Sequence, residues 1–362
     1  MNFGLSEDQI LFSQSLRRFL DEKCPTSRVR AIMETESAHD PSLWRELVEL
    51  GVTGLTIPSE HGGAGLELLD LALAAEELGR AAAPGPFLGA AMGTVALVES
   101  ADESAKGRWL PKIAAGEALV TVAFGEEGSE WAPARMNAAT TKKGLSGTKC
   151  FVPYAAEADA MLVAARDDDG VGLWLVERGA PGCEIMPLNV VDRTRRLSAV
   201  TLRDAPAMKL AGGARAVARS LDAGAVLLAA DAFGGAKRCL DMTVRYALER
   251  VQFGQVIGAF QGVKHQLASL ACDLEPALSL WWYAAHAFDR IREESPRLAA
   301  LAKAHLCDLF DRAARESTEL HGGIGFTWEY DLQLWFRRSI FDRSFLGEAA
   351  YHRERAAELA GW

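Results

Sequence analysis

Arg250-Val-Gln-Phe-Gly-Gln-Val-Ile-Gly-Ala-Phe-Gln261 is the most informative segment of this chain. It lies between two long segments with helical periodicity, so its arginine falls at the end of a helix. An arginine in that place, followed by an aromatic residue and by a glycine that opens the backbone, can meet a phosphate-bearing ligand. The stretch therefore predicts a phosphate contact at a helix end.

A second glycine-rich stretch follows towards the C-terminus, Glu319-Leu-His-Gly-Gly-Ile-Gly-Phe-Thr-Trp-Glu-Tyr-Asp331. Its Gly-Gly-x-Gly lets a backbone segment approach a ligand closely. By itself this pattern is also typical of a simple helix terminus. Combined with Arg250, Phe253 and Gln261, it favours a cofactor site.

In this order and spacing, the two stretches resemble those of the acyl-CoA dehydrogenase family. The resemblance covers essentially the whole chain and includes Pro58-Ser-Glu-His-Gly-Gly-Ala-Gly65 and Glu76-Glu-Leu-Gly79. It implies an oxidoreductase of lipid metabolism that uses FAD to desaturate an acyl-CoA thioester between Cα and Cβ. It also implies an electron-transferring flavoprotein as the electron acceptor.

Composition limits the other possible partners. The chain has 362 residues, a formal net charge of −10 and a pI near 5.3, which argues against nucleic acid or an anionic membrane surface as a partner. No signal peptide is apparent, and no uncharged apolar run reaches the roughly 18 residues that a membrane span needs. The six cysteines form no CxxC pair, which predicts reduced thiols in a cytoplasmic protein. The seven scattered histidines predict no metal site.

Periodicity divides the chain into three parts and predicts an α+β fold. Residues 1–118 have helical periodicity, residues 119–209 contain short β-prone segments between Gly and Asp turns, and residues 210–362 return to long helical spans. We expect an N-terminal helical domain, a small antiparallel β-barrel and a C-terminal four-helix bundle. The family resemblance implies the same architecture.

The family resemblance also implies how the cofactor is held. The Arg, the Phe and the Gly-Gly loop of one subunit contact the ADP end of an FAD bound mainly by its neighbour, which predicts an obligate oligomer. The corresponding residues of this chain are Arg250, Gln252, Phe253, Gln261, Gly322 and Gly323. Glu319 replaces the usual Gln of the family, and a carboxylate repels a pyrophosphate unless it turns away.

The residues expected beside the flavin ring depart further from the family pattern. Of the usual Thr-Glu-Pro-x-x-Gly-Ser-Asp, only Gly128 and Ser129 remain, and the Thr is Ala123. The family's Trp-Ile-Thr/Ser falls on Phe151-Val152-Pro153, and a proline offers neither a hydroxyl nor a backbone N–H. Another N–H nearby is the alternative donor.

The carboxylate that removes the α-proton is missing from both positions where the family places it. Counting from Gly322, the commoner position falls on Leu346; counting back from Phe253, the other falls on Gly224. Neither leucine nor glycine accepts a proton.

Three other acids are candidate bases. Glu348 and Asp222 each lie two residues from a vacant position, which places them on a different face of a helix. Asp231 lies in the apolar segment Val226–Gly235, where an acid is costly unless it is paired or functional. It is either a relocated base or a partner in an ion pair across the bundle.

Three hypotheses follow. In the first, the chain resembles the short subunit without a base of a heteromeric acyl-CoA dehydrogenase, a heterotetramer that acts on bulky acyl-CoA; its run Gly347-Glu-Ala-Ala-Tyr-His-Arg353 is similar to that subunit's end. The homologous partner chain then carries the catalytic Glu. In the second, the chain is a non-catalytic scaffold or binding protein. In the third, it is a homomeric enzyme that uses Asp231 or Glu348, or a related flavin monooxygenase.

Overall fold

The computed structural model describes residues 4–128 and 131–362. Helices come first, a sheet follows, and helices return, which confirms the predicted fold class. The last helix of the first part ends at Ala114 and β1 begins at Val120. The domain boundaries after residues 118 and 209 stay predictions.

The N-terminal part consists of short, well-capped helices. They are α1 (Glu7–Lys23), α2 (Thr26–Met33), α3 (Pro41–Glu49), α4 (Leu68–Arg80), α5 (Phe87–Glu99) and α6 (Glu103–Ala114). Ser6 and Gln9 form a capping box at the start of α1. The Asp40 carboxylate accepts hydrogen bonds from the first backbone N–H groups of α3, with Pro41 at its first position.

The middle part is a sheet of eight strands in the described chain. The strands are β1 (Val120–Ala123), β2 (Ala139–Thr140), β3 (Leu145–Pro153), β4 (Ala160–Asp167), β5 (Gly170–Glu177), β6 (Cys183–Pro187), β7 (Leu197–Ala205) and β8 (Met208–Leu210). Most pairs are antiparallel, as expected. β1 and β2 run parallel to β4, and each is joined to it by a connection long enough for the crossover that a parallel pair needs.

Long helices form the C-terminal part. They are α7 (Gly213–Glu249), α8 (Gln261–Arg290), α9 (Ser295–His321), α10 (Leu332–Ser344) and α11 (Ala349–Leu359). A hairpin of β9 (Val251–Gln252) and β10 (Gln255–Val256) separates α7 from α8. Helix α7 packs against α4, α8 and α9, while α10 and α11 pack on α9. In the part of the chain that is described, no helix is long and apolar enough to cross a bilayer.

Two glycines allow α4 and α7 to touch backbone to backbone. A Cβ on Gly79 would lie 2.1 Å from the Asp231 carbonyl oxygen, and one on Gly234 would lie 2.0 Å from the Glu76 carbonyl oxygen. This contact brings the middle of α7 directly against the N-terminal helices, so the environment of Asp231 is shared by both parts of the chain.

We expect Gly79→Ala to destabilise the protein by about 3 kcal/mol or more, because neither helix backbone can move aside cheaply. Denaturant unfolding measures the change in the free energy of unfolding. Gly107→Ala is the matched control, since Gly107 is an exposed glycine of α6 with no atom within 4 Å of the new methyl group. That control should stabilise by about 0.5–1 kcal/mol, and equal effects of the two changes would contradict the close contact.

Candidate active site

The hairpin after α7 presents the first predicted motif to solvent. Gly254 (φ 78°) and Phe253 (φ 52°) turn the chain with left-handed backbone. The Phe253 side chain is 92% exposed and meets Phe260 edge-to-face at 6.2 Å. Arg250, at the end of α7, is also exposed, so its guanidinium is open to a ligand or to another chain.

The Gly-Gly loop is equally open. Helix α9 ends at His321, and Gly322 continues with φ 64° and ψ −143°. A Cβ on Gly322 or Gly323 would meet no atom within 4 Å, so a ligand can approach the backbone here. Glu319 is exposed in the last turn of α9, which leaves its carboxylate free to turn into solvent.

Aromatic contacts hold the two motifs together. The Tyr246 ring, one turn before Arg250, stacks on His321 at 4.3 Å, and its hydroxyl donates to the His321 carbonyl oxygen (3.3 Å). Burial lowers the pKa of His321, whose Nδ1 lies 2.7 Å from the Ser317 carbonyl oxygen. His321 is therefore a neutral packing residue that joins the ends of α7 and α9. Gln252 and Gln261 lie exposed on the neighbouring hairpin and at the start of α8.

A cavity of about 380 Å³ lies between the sheet and α10. Its walls are largely aromatic and aliphatic and comprise Trp131, Phe151, Leu188, Asn189, Val190, Val191, Asp192, Leu197, Ile340, Phe341, Ser344 and Phe345. Trp131 meets Phe345 edge-to-face at 4.9 Å. Phe151, where the family has Trp, is 44% exposed, so this cavity lies on the side where the flavin ring is expected.

The polar contacts expected beside a flavin ring are scarce at this cavity. Pro153 has no N–H, and its carbonyl oxygen already accepts the Thr121 hydroxyl (2.7 Å). Ala123, in place of the family's Thr, is fully buried. Ser129 lies outside the described residues.

The two vacant base positions touch each other. A Cβ on Gly224 would lie 2.6 Å from Leu346 Cδ1 and 2.8 Å from Met92 Sδ. Leu346 is 2% exposed and adopts a left-handed backbone (φ 62°). Apolar groups therefore surround both of the positions, Gly224 and Leu346, that the sequence predicts for the carboxylate.

Two of the candidate acids lie at an exposed helix start and in an ion pair, respectively. Glu348 is the N-cap residue of α11 and is exposed. Asp222 is buried and pairs with Arg355 (Oδ1 to Nη2, 2.6 Å). Burial raises the pKa of Asp222, and the Arg355 guanidinium opposes that rise. Neither geometry is that of a free carboxylate poised over a substrate.

Asp231, the third candidate, is held between two arginines. Its Oδ2 lies 2.6 Å from Arg195 Nη2, and its Oδ1 lies 3.2 Å from Arg338 Nη1. Arg338 also donates to Asp192 (2.6 Å) and to Thr194 Oγ1 (2.5 Å). This is the geometry of a buried ion-pair network, the structural alternative for Asp231, and it leaves no free face to accept a proton.

A third carboxyl group completes this network. Asp342 is fully buried beside Asp231, so three carboxyls face the two guanidiniums of Arg195 and Arg338. Burial, and then the Asp231 charge, raise the pKa of Asp342 well above its usual range. The network is electrically balanced when Asp342 keeps its proton.

Several residues of this region were not predicted from the sequence. Met92 fills the vacant base position, Trp131 lines the ring-side cavity, and Arg195 and Arg338 pair with Asp231. The sequence gives a weak signal for Arg338 alone, since it follows the aromatic run Trp335-Phe336.

Comparison with known proteins identifies the family. A model of the acyl-CoA dehydrogenase N-terminal domain matches residues 6–117, and one of the acyl-CoA dehydrogenase C-terminal domain matches residues 202–360. The chain belongs to the acyl-CoA dehydrogenase family, whose members are oxidoreductases that bind FAD.

The similar proteins include one solved structure that is described as a steroid ACAD. Acyl-CoA dehydrogenase IpdE2 of Mycolicibacterium smegmatis is 34% identical over 346 residues, 95% of this chain and 96% of the relative. The solved Tcur3481–Tcur3483 steroid ACAD variant is 32% identical with a TM-score of 0.91, covering 98% of both chains. The ChsE4–ChsE5 complex of Mycobacterium tuberculosis is 25% identical with a TM-score of 0.89, covering 100% of this chain and 99% of that one.

The geometry suits one end of FAD better than the other. The exposed Arg250 and the open backbone at Gly322 and Gly323 suit the anionic pyrophosphate. The ring-side cavity offers aromatic walls, but Pro153 provides no hydrogen bond to a flavin ring.

We expect Asp342→Asn to gain stability relative to the unmodified protein as the pH rises from about 4 to 8. Above the usual pKa of 3.8 the unfolded chain releases this proton while the folded chain keeps it, so rising pH costs the folded state up to about 1.4 kcal/mol per unit. Asparagine carries no such proton. Denaturant unfolding at several pH values measures the difference, with the exposed Asp168→Asn as control. A difference that does not change with pH would contradict the protonated Asp342.

Proposed function

We propose that this chain is the subunit of a two-chain acyl-CoA dehydrogenase that does not abstract the proton. The packing of Leu346 and Met92 against Gly224 carries this proposal. Both positions for the base are apolar and packed together, so no carboxylate of this chain reaches a substrate α-carbon there. A homologous partner chain supplies the Glu, and bound FAD supplies the hydride acceptor for the β-carbon.

The ADP side supports the same assignment. An arginine and an aromatic side chain as exposed as Phe253 at a hairpin tip are suited to contact a second chain and the cofactor it binds. Arg250, Gln252, Phe253, Gln261, Gly322 and Gly323 are our proposed contacts, with Glu319 turned to solvent. The stacked Tyr246 and His321 keep the two motifs in one arrangement.

The buried network argues against a homomeric enzyme that uses Asp231. If Asp231 abstracted a proton, it would lose the negative charge that pairs with the guanidiniums of Arg195 and Arg338. The buried cluster would then carry an uncompensated positive charge. A scaffold role does not account for the open Arg250 hairpin and Gly-Gly loop.

The substrate we propose is a bulky acyl-CoA, since a solved relative is described as a steroid ACAD. An electron-transferring flavoprotein is the proposed acceptor. All six cysteines are unpaired, which favours a reducing compartment such as the cytoplasm.

Co-expression tests the assignment. The chain should purify alone without flavin, and should purify as a yellow heterotetramer, active on acyl-CoA, with a homologous acyl-CoA dehydrogenase encoded beside it. Flavin absorbance per chain and turnover with an artificial acceptor are measured in both preparations. A lone chain that holds one flavin and is bleached by an acyl-CoA would refute the proposal.

Arg250→Ala should weaken flavin retention by the two-chain complex about 10- to 100-fold, because a charge-assisted hydrogen bond to phosphate contributes about 1.5–3 kcal/mol. Flavin release on dilution measures the affinity. Arg203→Ala is the control, since this exposed arginine pairs only with the exposed Glu184 within the described chain. Equal flavin retention in both variants would show that Arg250 does not contact the cofactor.

A further inference from the structure

The turn between α10 and α11 has a conformation that its sequence does not favour. Leu346 and Gly347 both adopt positive φ, at 62° and 103°. A leucine takes this backbone conformation only where its surroundings impose it. Contacts with other residues, rather than backbone preference, must therefore hold Leu346 in this conformation.

Lys303 is the first constraint. It lies on α9, is 1% exposed, and its ammonium donates to the carbonyl oxygens of Asp342 (2.6 Å), Arg343 (3.2 Å) and Gly347 (3.2 Å). All three donors of the ammonium are thus directed at the backbone around the turn. A cation at this place also complements the C-terminal end of α10.

His352 is the second constraint. It is 3% exposed on α11, and its Nε2 lies 3.0 Å from the Leu346 carbonyl oxygen. Because a carbonyl only accepts, Nε2 carries the proton and donates. Burial, with Lys303 and Arg355 nearby, lowers the pKa of His352 to about 3, so the imidazole stays neutral and the hydrogen bond persists at ordinary pH.

The constrained turn directs the Leu346 side chain into the vacant base position. Leu346 packs on Gly224 and borders a cavity of about 100 Å³ that is also lined by Trp131, Leu221, His352 and Arg355. A cavity of about 150 Å³ is large enough to hold benzene. The present cavity is smaller, and Leu346 is the side chain that keeps it so.

We propose that Lys303 and His352 are positioning residues that hold Leu346 as a plug, closing this chain's own acyl site. The inference rests on the proposed function in one respect, that the acyl site of this chain is not used. It goes further in naming the residues of this chain that hold Leu346 in place.

A small apolar ligand tests the plug on the full chain without its partner. Leu346→Ala should enlarge this cavity enough to bind toluene, seen as a ligand-dependent rise in Tm of about 1–2 °C that the unmodified chain lacks. Leu47→Ala, a similar truncation in α3, controls for loss of a buried leucine elsewhere. Absence of a toluene effect on Leu346→Ala would overturn the plug.

Variants of His352 test whether its hydrogen bond holds Leu346 in place. His352→Gln keeps an amide donor for the Leu346 carbonyl oxygen, whereas His352→Leu keeps the bulk and removes the donor. We expect toluene to raise the Tm of the Leu variant alone, with Gln behaving as the unmodified chain. Lys303→Met should act like His352→Leu. If Lys303→Met does not fold, the comparison of His352→Gln with His352→Leu decides the test.

A purely structural role would lower the Tm of His352→Leu without any response to toluene, and that result would overturn the proposal. The outcome is independent of the two-chain assignment, which is judged by flavin content and turnover. A lone chain that is yellow and active would contradict the two-chain assignment. A His352→Leu variant that does not respond to toluene would contradict only the positioning role of Lys303 and His352.

Discussion

The fold depends on one buried guanidinium. Arg338 is fully buried on α10 and donates to the Ala83 carbonyl oxygen after α4, to Asp192 in the loop before β7 and to Asp231 in α7. Each of the three parts of the chain thus supplies at least one of its acceptors. A cation with no access to water must have every one of these acceptors in place, so its burial fixes how the sheet sits against both sets of helices.

This requirement also explains why an acid persists in the apolar segment of α7. The sequence showed that Asp231 was costly, but its partners lie far away along the chain, at Arg195 and Arg338. Periodicity reports neighbours within a helix and carries no information on such distant pairs. The ion-pair alternative could be stated from sequence, while its partners and the protonated Asp342 needed the fold.

Helix starts can be predicted from local sequence because they depend on neighbouring residues. The buried ion-pair network cannot, because its partners are far apart along the chain. The cap at Ser6, the Asp40-Pro41 start and the Ser295-Pro296 start all lie where the structure begins a helix. Polar residues such as Lys149 and Glu184 interrupt the apolar pattern of β3 and β6, so local periodicity does not mark these two strands. Lys149 is buried and paired with Glu126, which is again a contact between distant residues.

Counting along the sequence located both empty base positions, but it treated them as alternatives. In the structure Leu346 rests on Gly224, so they are two sides of one space. Met92, on α5, packs against the same point of Gly224, and no sequence motif marks it. Loss of the carboxylate and loss of the room it needs are therefore one structural change.

The hairpin beyond α7 has a consequence for the life of the chain in a cell. Leu248, Val251, Phe253 and Phe326 are between 55% and 92% exposed near the joined ends of α7 and α9. A copy without a partner exposes these apolar side chains to chaperones, to proteases and to other such copies. Under the two-chain assignment proposed above, its abundance is then set by the supply of the partner chain as well as by the intrinsic stability of the fold.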